Sequence, residues 1–428
     1  MYAILKIYLL IIIAAAFTGC NNGYDVKPLP PYEWSKPVCD TTLKVVSQKI
    51  ISKDSSYGEA RFLSDNGKYI YQYSANHDKE IKGGFFEFDG NNIHELWGIK
   101  PDIPNGKRVF NVYTSFRDFV LLQNKFIYTD VATVYCYSYQ GDLIWENKFG
   151  EVENKGNGNS FISGFGSKVY MASRRIDSIH IKYLFEIDIG TGKERLIYTE
   201  PEQNSIIGEF DPPSLYMLEN DTIATFQIRG YSKVDAHYRS DLVAFNISKK
   251  EILWRKDSLD RYARGSANPI LVENNKLYYA GAFDIYCLDA VSGKLIWRQA
   301  FENYHYEFNF ASLLMLGNGL VAKSEHEEIA LLNKETGTII WENRGVGTGS
   351  LQIESYKGDL IMTSSGKGTI ECLDSHTGLL KWKAKAPNQC IDDRAGFGLY
   401  SFVINPKTNL LYICDKFFIQ CLRLPGYD

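Results

Sequence analysis

Residues 285–297 of this chain read IYCLDAVSGKLIW, and close copies follow at residues 329–341 (IALLNKETGTIIW) and 370–382 (IECLDSHTGLLKW). Each copy opens with an apolar run typical of a strand and closes with an aliphatic run that leads to Trp. Between the two runs stand Asp or Asn, then Ser or Thr, then Gly, which are residues that favour tight turns. The repeated segment therefore predicts a β-hairpin of nearly constant length with a Trp on its second strand.

Four weaker copies precede these three, at residues 85–97, 134–145, 184–198 and 242–254. Successive Trp residues of the pattern lie 41 to 48 positions apart, and the single interval of 109 contains a copy that ends in Tyr198. Such intervals are the periods of four-stranded propeller blades, about 40–50 residues each. A Trp at a fixed place in every blade is suited to packing against the next blade.

Twelve residues of the repeat are the candidates for this packing between blades. They are Trp97, Trp145, Trp254, Trp297, Trp341 and Trp382, with the turn residues Asp289, Gly293, Asn333, Gly337, Asp374 and Gly378.

The number of blades follows from what remains at the two ends of the chain. Three strand-like runs follow Trp382, at residues 398–404, 410–415 and 417–424, without a fourth. The run LKVVSQKII at residues 43–51 has no blade of its own and can supply the missing outer strand. Joining both ends in one blade removes an open sheet edge. We predict an all-β, eight-bladed β-propeller over residues 43–428, with seven blades as the alternative if the Tyr198 copy is not a whole blade.

The composition excludes two classes of protein. The chain has 428 residues, of which 45% are hydrophobic and 14% aromatic, so it is too apolar for a disordered protein. Its net charge of −4 argues against nucleic acid as a partner, because nucleic-acid-binding proteins are usually basic.

The first residues, MYAILKIYLLIIIAAAFTGC, resemble a bacterial lipoprotein signal that ends in a lipobox. In that reading residues 1–19 are a signal peptide, Cys20 is acylated, and the proline-rich residues 20–42 form a tether. Phe17 stands where the lipobox usually has Leu, and a plain secretory signal or an uncleaved anchor are the alternatives. Asn21 replaces the Asp that retains many lipoproteins in the inner membrane, so we predict the periplasmic side of the outer membrane.

The repeat resembles the quinoprotein-type (PQQ-like) propeller repeat, whose motif runs Ala-x-Asp-x-x-Thr-Gly-Lys-x-x-Trp. The segment from Cys287 to Trp297 matches it nearly throughout. With the lipobox and the blade count, the chain resembles the BamB family, which are scaffold lipoproteins of the outer-membrane β-barrel assembly machine. That resemblance implies a non-catalytic scaffold with an envelope protein as its partner, no cofactor, and attachment to the membrane through the N-terminal lipid. An envelope binding or immunity lipoprotein with another partner is an alternative.

The other alternative is an enzyme, a PQQ-dependent dehydrogenase, because quinoproteins carry the same repeat. Their cofactor site typically has adjacent cysteines, and this chain has no Cys-Cys pair. The sequence also lacks a phosphate-binding GxxxxGK[ST] loop, a GxSxG nucleophile motif and an HExxH zinc motif. We therefore predict that the protein is not an enzyme and holds no metal.

Two sets of residues remain with a predicted role in binding or covalent linkage. The partner-binding candidates lie in two loop segments, and they are Tyr231, His237, Tyr238, Tyr304 and Tyr306. Propellers bind partners through such loops. Cys39, Cys390 and Cys414 are the pool for a disulfide in an oxidising periplasm, with the pairing left open.

Overall fold

A computed structural model describes most of the strands of this chain and their turns, all within the compact unit Cys39–Asp428. The described residues are 43–50, 58–65, 67–77, 80–99, 119–129, 133–148, 161–174, 181–200, 206–232, 236–260, 270–301, 312–324, 327–346, 352–364, 368–389, 396–397, 402–415 and 417–427. The predicted signal peptide and tether, Cys39, Cys390, Tyr304 and Tyr306 lie outside them. No helix among the described residues is long and apolar enough to cross a membrane.

The strands form eight antiparallel sheets, which are the blades of a β-propeller. Their order in each sheet runs from the inner to the outer strand. Blade 1 contains β2 (Gly58–Asp65), β3 (Lys68–His77), β4 (Glu80–Asp89) and β5 (Asn92–Ile99), and blade 2 contains β6 (Phe119–Leu122), β7 (Lys125–Thr129), β8 (Thr133–Ser138) and β9 (Leu143–Lys148). Blade 3 contains β10 (Phe161–Phe165), β11 (Lys168–Arg174), β12 (Lys182–Asp188) and β13 (Glu194–Thr199). Blade 4 contains β14 (Ile206–Phe210), β15 (Ser214–Leu218), β16 (Asp221–Ser232), β17 (His237–Asn246) and β18 (Glu251–Asp260).

Blades 5 to 8 repeat the four-stranded pattern. They contain β19 (Leu271–Glu273), β20 (Lys276–Ala280), β21 (Asp284–Asp289) and β22 (Leu295–Ala300); β23 (Ser312–Leu316), β24 (Gly319–Lys323), β25 (Glu328–Asn333) and β26 (Ile339–Arg344); β27 (Ile353–Tyr356), β28 (Asp359–Ser364), β29 (Thr369–Asp374) and β30 (Leu380–Lys385); and β31 (Val403–Asn405), β32 (Leu410–Cys414), β33 (Phe418–Arg423) and β1 (Lys44–Ile50).

Blade 8 joins the two ends of the chain. Its outer strand, β1, pairs with β33 in a register that runs from Lys44 opposite Arg423 to Ile50 opposite Phe418. The Tyr198 copy supplies the third and outer strands of a whole four-stranded blade, blade 3. The predictions of eight blades and of closure by an N-terminal strand are therefore confirmed.

The core lies between neighbouring blades, because the middle strands of each blade bury both faces. In β24, Leu320 and Ala322 pack with side chains of blade 5, whereas Val321 packs with side chains of blade 7. All six residues of β28 are buried. This arrangement explains why the inner strands read as nearly continuous apolar runs rather than as a strict alternation.

Every outer strand contains a β-bulge, which the sequence patterns did not predict. In blade 5, Cys287 pairs with Trp297 and Leu288 pairs with Leu295, so Ile296 is the extra residue. The same shift occurs one residue before each Trp or its equivalent, and the extra residues are Val46, Leu96, Ile144, Ile197, Leu253, Ile296, Ile340 and Lys381. A bulge bends its strand, redirects the next side chain and blunts an exposed sheet edge.

The propeller has two distinct faces. Consecutive strands within a blade are antiparallel, so the turn between the first two strands and the turn between the last two lie at the same end. We call the turn between the third and outer strands the docking turn, and this end of the molecule the docking-turn face. The opposite end, which carries the links between blades, is the connector face.

Candidate functional site

The docking turns are held by their first residue. In blade 5, Oδ1 of Asp289 accepts hydrogen bonds from the Ser292 amide at 2.7 Å and the Ser292 hydroxyl at 2.6 Å. These bonds favour the ionised carboxylate and lower the pKa of Asp289. Asp374 accepts the same pair of bonds from Thr377, and Asn333 accepts the amide of Thr336 at 3.1 Å. The spacing of these residues therefore has a local physical cause.

Five of the six Trp residues of the repeat lie on the docking turn of the following blade. The Trp254 indole N–H donates to the Ala290 carbonyl at 2.9 Å, and its ring covers Gly293. The indoles of Trp145, Trp297 and Trp341 donate in the same way to the carbonyls of Ile189, Lys334 and Ser375. Their rings lie on Gly192, Gly337 and Gly378.

Two of the predicted Trp residues occupy altered surroundings. Trp97 lies on Gly141, but the turn in blade 2 is one residue shorter, with Ser138 in place of Asp. Its indole N–H is buried without a hydrogen-bond partner in the described part of the chain. Trp382 is 8% exposed and pairs with Cys372.

At Trp382 the next blade has no docking turn, because the outer strand of blade 8, β1, does not follow its third strand, β33, along the chain. Tyr427 takes part in that junction: its hydroxyl donates to Asp359 and lies 3.8 Å from Sγ of Cys372. Asn409 donates to the Tyr427 carbonyl at 2.6 Å, and the Tyr356 ring packs edge-on against the Tyr427 ring at 5.2 Å. The last residues of the chain thus bind blade 8 to blade 7.

Three of the five partner-binding candidates meet on blade 4. Strand β16 has 12 residues, against 5 or 6 in the second strands of blades 5 to 8. The excess length extends three strands of the sheet at the connector face, and we call this part the blade-4 extension: residues 206–208, 230–232 and 237–239. In it Tyr231 pairs with Tyr238 and Ser232 pairs with His237.

The aromatic residues of the blade-4 extension are accessible. Tyr238 is 59% exposed, and its ring packs edge-on against Tyr231 with the centroids 5.4 Å apart. His237 is also exposed. A pair of tyrosines with one ring half-buried and one exposed is a rigid, amphipathic contact surface.

A network of ion pairs lies beneath the extension. Nη1 of Arg255 is 2.8 Å from Glu200 at the end of blade 3, and Nη2 is 2.5 Å from Asp241 on β17. Arg239, next to Tyr238, contacts the same carboxylate at 3.1 Å. Glu200 and Asp241 are 2% and 0% exposed. Sequence reasoning missed this network because no spacing relates Glu200 to Arg255, 55 positions away.

Buried polar residues also gather between blades 6 and 7 toward the connector face. Lys323 is fully buried, and burial lowers its pKa to about 8 against the raising influence of Glu371 and Glu328. Lys383 pairs with Glu371 at 2.9 Å. Within the described ranges no three His, Cys, Asp or Glu side chains are grouped so as to hold a metal ion.

Four cysteines occupy the same position on the third strand of their blades. Cys136, Cys287 and Cys372 each pair with a Trp, Cys421 pairs with Ser47 at the equivalent place, and all four are fully buried. Cys414 is a free buried thiol whose Sγ donates to the Asp415 carbonyl at 2.5 Å.

Comparison with known proteins agrees with this geometry. Residues 239–390 match the family described as outer membrane protein assembly factor BamB. No curated protein matches the chain by sequence.

Among solved structures, BamB from Moraxella catarrhalis is similar, with a TM-score of 0.54 and 13% identity over 91% of this chain and 99% of that one. The quinohemoprotein alcohol dehydrogenase of Comamonas testosteroni has a TM-score of 0.62 and 10% identity, over 89% of this chain and 76% of that one. Sqt1 of Saccharomyces cerevisiae has a TM-score of 0.60 and 10% identity, over 88% of this chain and 98% of that one. At these identities the likeness is one of fold. The chain is thus an eight-bladed β-propeller whose fold, and whose sequence over residues 239–390, are similar to BamB.

Proposed function

We propose that this protein is a non-catalytic scaffold that binds another protein in the bacterial envelope. The observation that carries the proposal is the blade-4 extension, which presents Tyr231, His237 and Tyr238 on a base of buried ion pairs. Tyrosines dominate the energetics of many protein interfaces, because they bury a large area at a low entropic cost. The match of residues 239–390 to the BamB family supports the scaffold role, and Tyr231, His237 and Tyr238 precede the matched residues.

Affinity purification of this protein from detergent-solubilised membranes tests the proposal. The measured quantity is the amount of a second envelope protein that is recovered with it. Tyr238→Ala should lower the recovery of the partner about tenfold or more, as expected for the loss of a central aromatic contact. Met217→Ala is the matched control, since Met217 is 50% exposed on the same blade at the docking-turn face. A wild-type protein that elutes alone, as a monomer, would argue against the scaffold role.

The proposed anchor is the acylated Cys20, with residues 1–19 removed as a signal peptide and residues 20–42 as the tether. In this proposal the protein lies on the periplasmic side of the outer membrane. Cys20→Ala should move the protein from the membrane fraction to the soluble periplasm, because a tether without acyl chains has no stable membrane affinity. Unchanged sedimentation with the outer membrane would exclude a lipid anchor at this residue.

A second candidate function is a PQQ-dependent dehydrogenase, and the likeness in fold to a quinohemoprotein alcohol dehydrogenase is the observation that favours it. Titration of the purified protein with pyrroloquinoline quinone and Ca²⁺, followed by absorbance and fluorescence, separates the two candidates. Saturable binding would support the dehydrogenase. The absence of binding at micromolar concentrations of the cofactor would support the non-catalytic scaffold.

A further inference from the structure

We infer that the docking-turn face of the propeller lies against a phospholipid surface, which leaves the connector face and its blade-4 extension to the protein partner. The inference rests on the lipid anchor of the proposed function and adds the orientation of the molecule to it. Two independent features of the described residues carry it.

The first feature is the place where the chain enters the propeller. Lys44, the first residue of β1, is opposite Arg423, the last residue of β33. In the other blades the equivalent position, such as Asp374 of β29, begins the docking turn. The tether therefore joins the body at the docking-turn face. The 22 residues between Cys20 and Leu43 span at most about 75 Å, so an anchor at Cys20 holds the point of attachment on this face within that distance of the membrane.

The second feature is a row of exposed aliphatic side chains along the outer edge of the same face. The residue two positions before the Trp or Tyr of the repeat is Leu143, Leu196, Ile252, Leu295 or Ile339 in blades 2 to 6, and it is 38–51% exposed in each. Three bulge residues, Ile144, Ile296 and Ile340, add exposures of 43–54%. We call these eight residues the aliphatic rim.

The arrangement of the aliphatic rim fits a flat binding surface better than a single peptide strand or helix. Its members follow directly after the docking turns, and the turns of blades 2 to 6 lie at one end of the ring, so the rim forms an arc over five consecutive blades at that end. A peptide strand or helix would touch one or two blades, whereas a bilayer surface meets the whole arc. An added strand is also disfavoured because the bulge interrupts each outer edge beside the rim.

The experiment uses the lipidated full chain on vesicles of phosphatidylethanolamine and phosphatidylglycerol, with lysine acetylation read by mass spectrometry. Lys193, Lys250 and Lys294 are exposed in docking turns, whereas Lys148 and Lys385 are exposed at the far ends of outer strands. Vesicles should slow acetylation of the first three lysines several-fold relative to detergent solution and leave the other two unchanged. Equal rates for both sets, or protection of Lys148 and Lys385 alone, would overturn the inference.

A double variant links the protection to the rim. Ile296→Ser with Ile340→Ser should abolish most of the protection while the protein still floats with the vesicles, and Tyr238→Ser on the connector face should leave it intact. Protection that survives the double variant would contradict contact through the rim. A wild-type chain that does not float at all refutes the anchor itself, so the two failures are distinguishable. Protection seen only when the envelope partner is added would assign the rim to a protein instead.

Discussion

Glycine in the docking turns meets two requirements at once. Gly293, Gly337 and Gly378 have φ of 67°, 75° and 70°, which is the left-handed region that side chains disfavour. A Cβ at any of them would also lie within 2.4–2.6 Å of the Trp ring that covers the turn. The turn thus needs Gly for its own conformation and for the approach of the next blade.

These two requirements can be separated by comparing two glycines. Gly337→Ala should lower the free energy of unfolding by about 2–4 kcal/mol, since it adds a clash with Trp297 to the backbone strain. Gly358 has φ of 84° with nothing within 4 Å of its Cβ position, so Gly358→Ala should cost only about 1 kcal/mol. Urea unfolding followed by Trp fluorescence measures both. Equal losses of unfolding free energy in the two variants would show that the Trp297 ring does not clash with a Cβ at position 337.

Glu354 predicts a dependence of stability on pH. Burial raises the pKa of this carboxyl to about 7, although it accepts bonds from the Ile404 amide and the Gln352 side chain. Between the ordinary pKa of about 4.5 and pH 7 the folded state therefore binds more protons than the unfolded state, so stability falls as the pH rises through this range.

Glu354→Gln removes that ionisation and keeps an acceptor for the Ile404 amide. The variant should match the wild type near pH 4.5 and exceed it at pH 8, by up to roughly 3 kcal/mol. Thermal unfolding from pH 4.5 to pH 8 tests this, with Glu251→Gln at the exposed start of β18 as the control. Parallel curves for wild type and Glu354→Gln would rule out Glu354 as the source.

Blade 4 shows how an element departs from the repeat. Its inner strand is divided into β14 and β15, which pair with successive parts of β16 on either side of Pro212 and Pro213. Proline cannot donate to the sheet, so the strand breaks there. The division, together with the extension, accounts for the unusual length of chain between Thr199 and Arg239.

The extension depends on a close approach of two glycines. Gly208 pairs with Gly230, and a Cβ at Gly208 would lie 2.1 Å from the Arg229 carbonyl oxygen. Gly208→Ala should therefore detach β14 and raise amide hydrogen exchange in residues 206–210 at least tenfold. Gly164→Ala in β10 is the control, because its nearest contact is a Leu122 side-chain atom at 3.4 Å. Unchanged exchange after Gly208→Ala would show that the two strands accommodate a Cβ at this position and remain paired.

At the scale of the whole molecule, the ring is closed by both termini. Strand β1 covers β33, and Tyr427 connects blade 8 to blade 7 through Asp359 and Cys372. Closure leaves no long unpaired inner edge, which a propeller must avoid.

Removing β1 should open this junction. A chain that starts at residue 51 should lose about 3–5 kcal/mol of stability and self-associate, because the edge of β33 becomes available for pairing. A chain that starts at residue 43 keeps β1 and is the control. Light scattering after gel filtration and thermal unfolding measure both effects. A stable monomer without β1 would mean that seven blades and an incomplete eighth suffice.

The sequence by itself determined the elements whose physics is local. Asp289, Ser292 and Gly293 form a turn through bonds within four residues, and the regular return of Trp counts the blades. The pairing of β1 with β33 was also predictable, since only that run was left over. The tertiary structure decided what depends on distant neighbours: the bulge before each Trp, the ion pairs of Arg255 with Glu200 and Asp241, and the placement of Tyr427 on blade 7. The contacts of Arg255 and Tyr427 join residues with no fixed spacing, so only the closed ring brings them together.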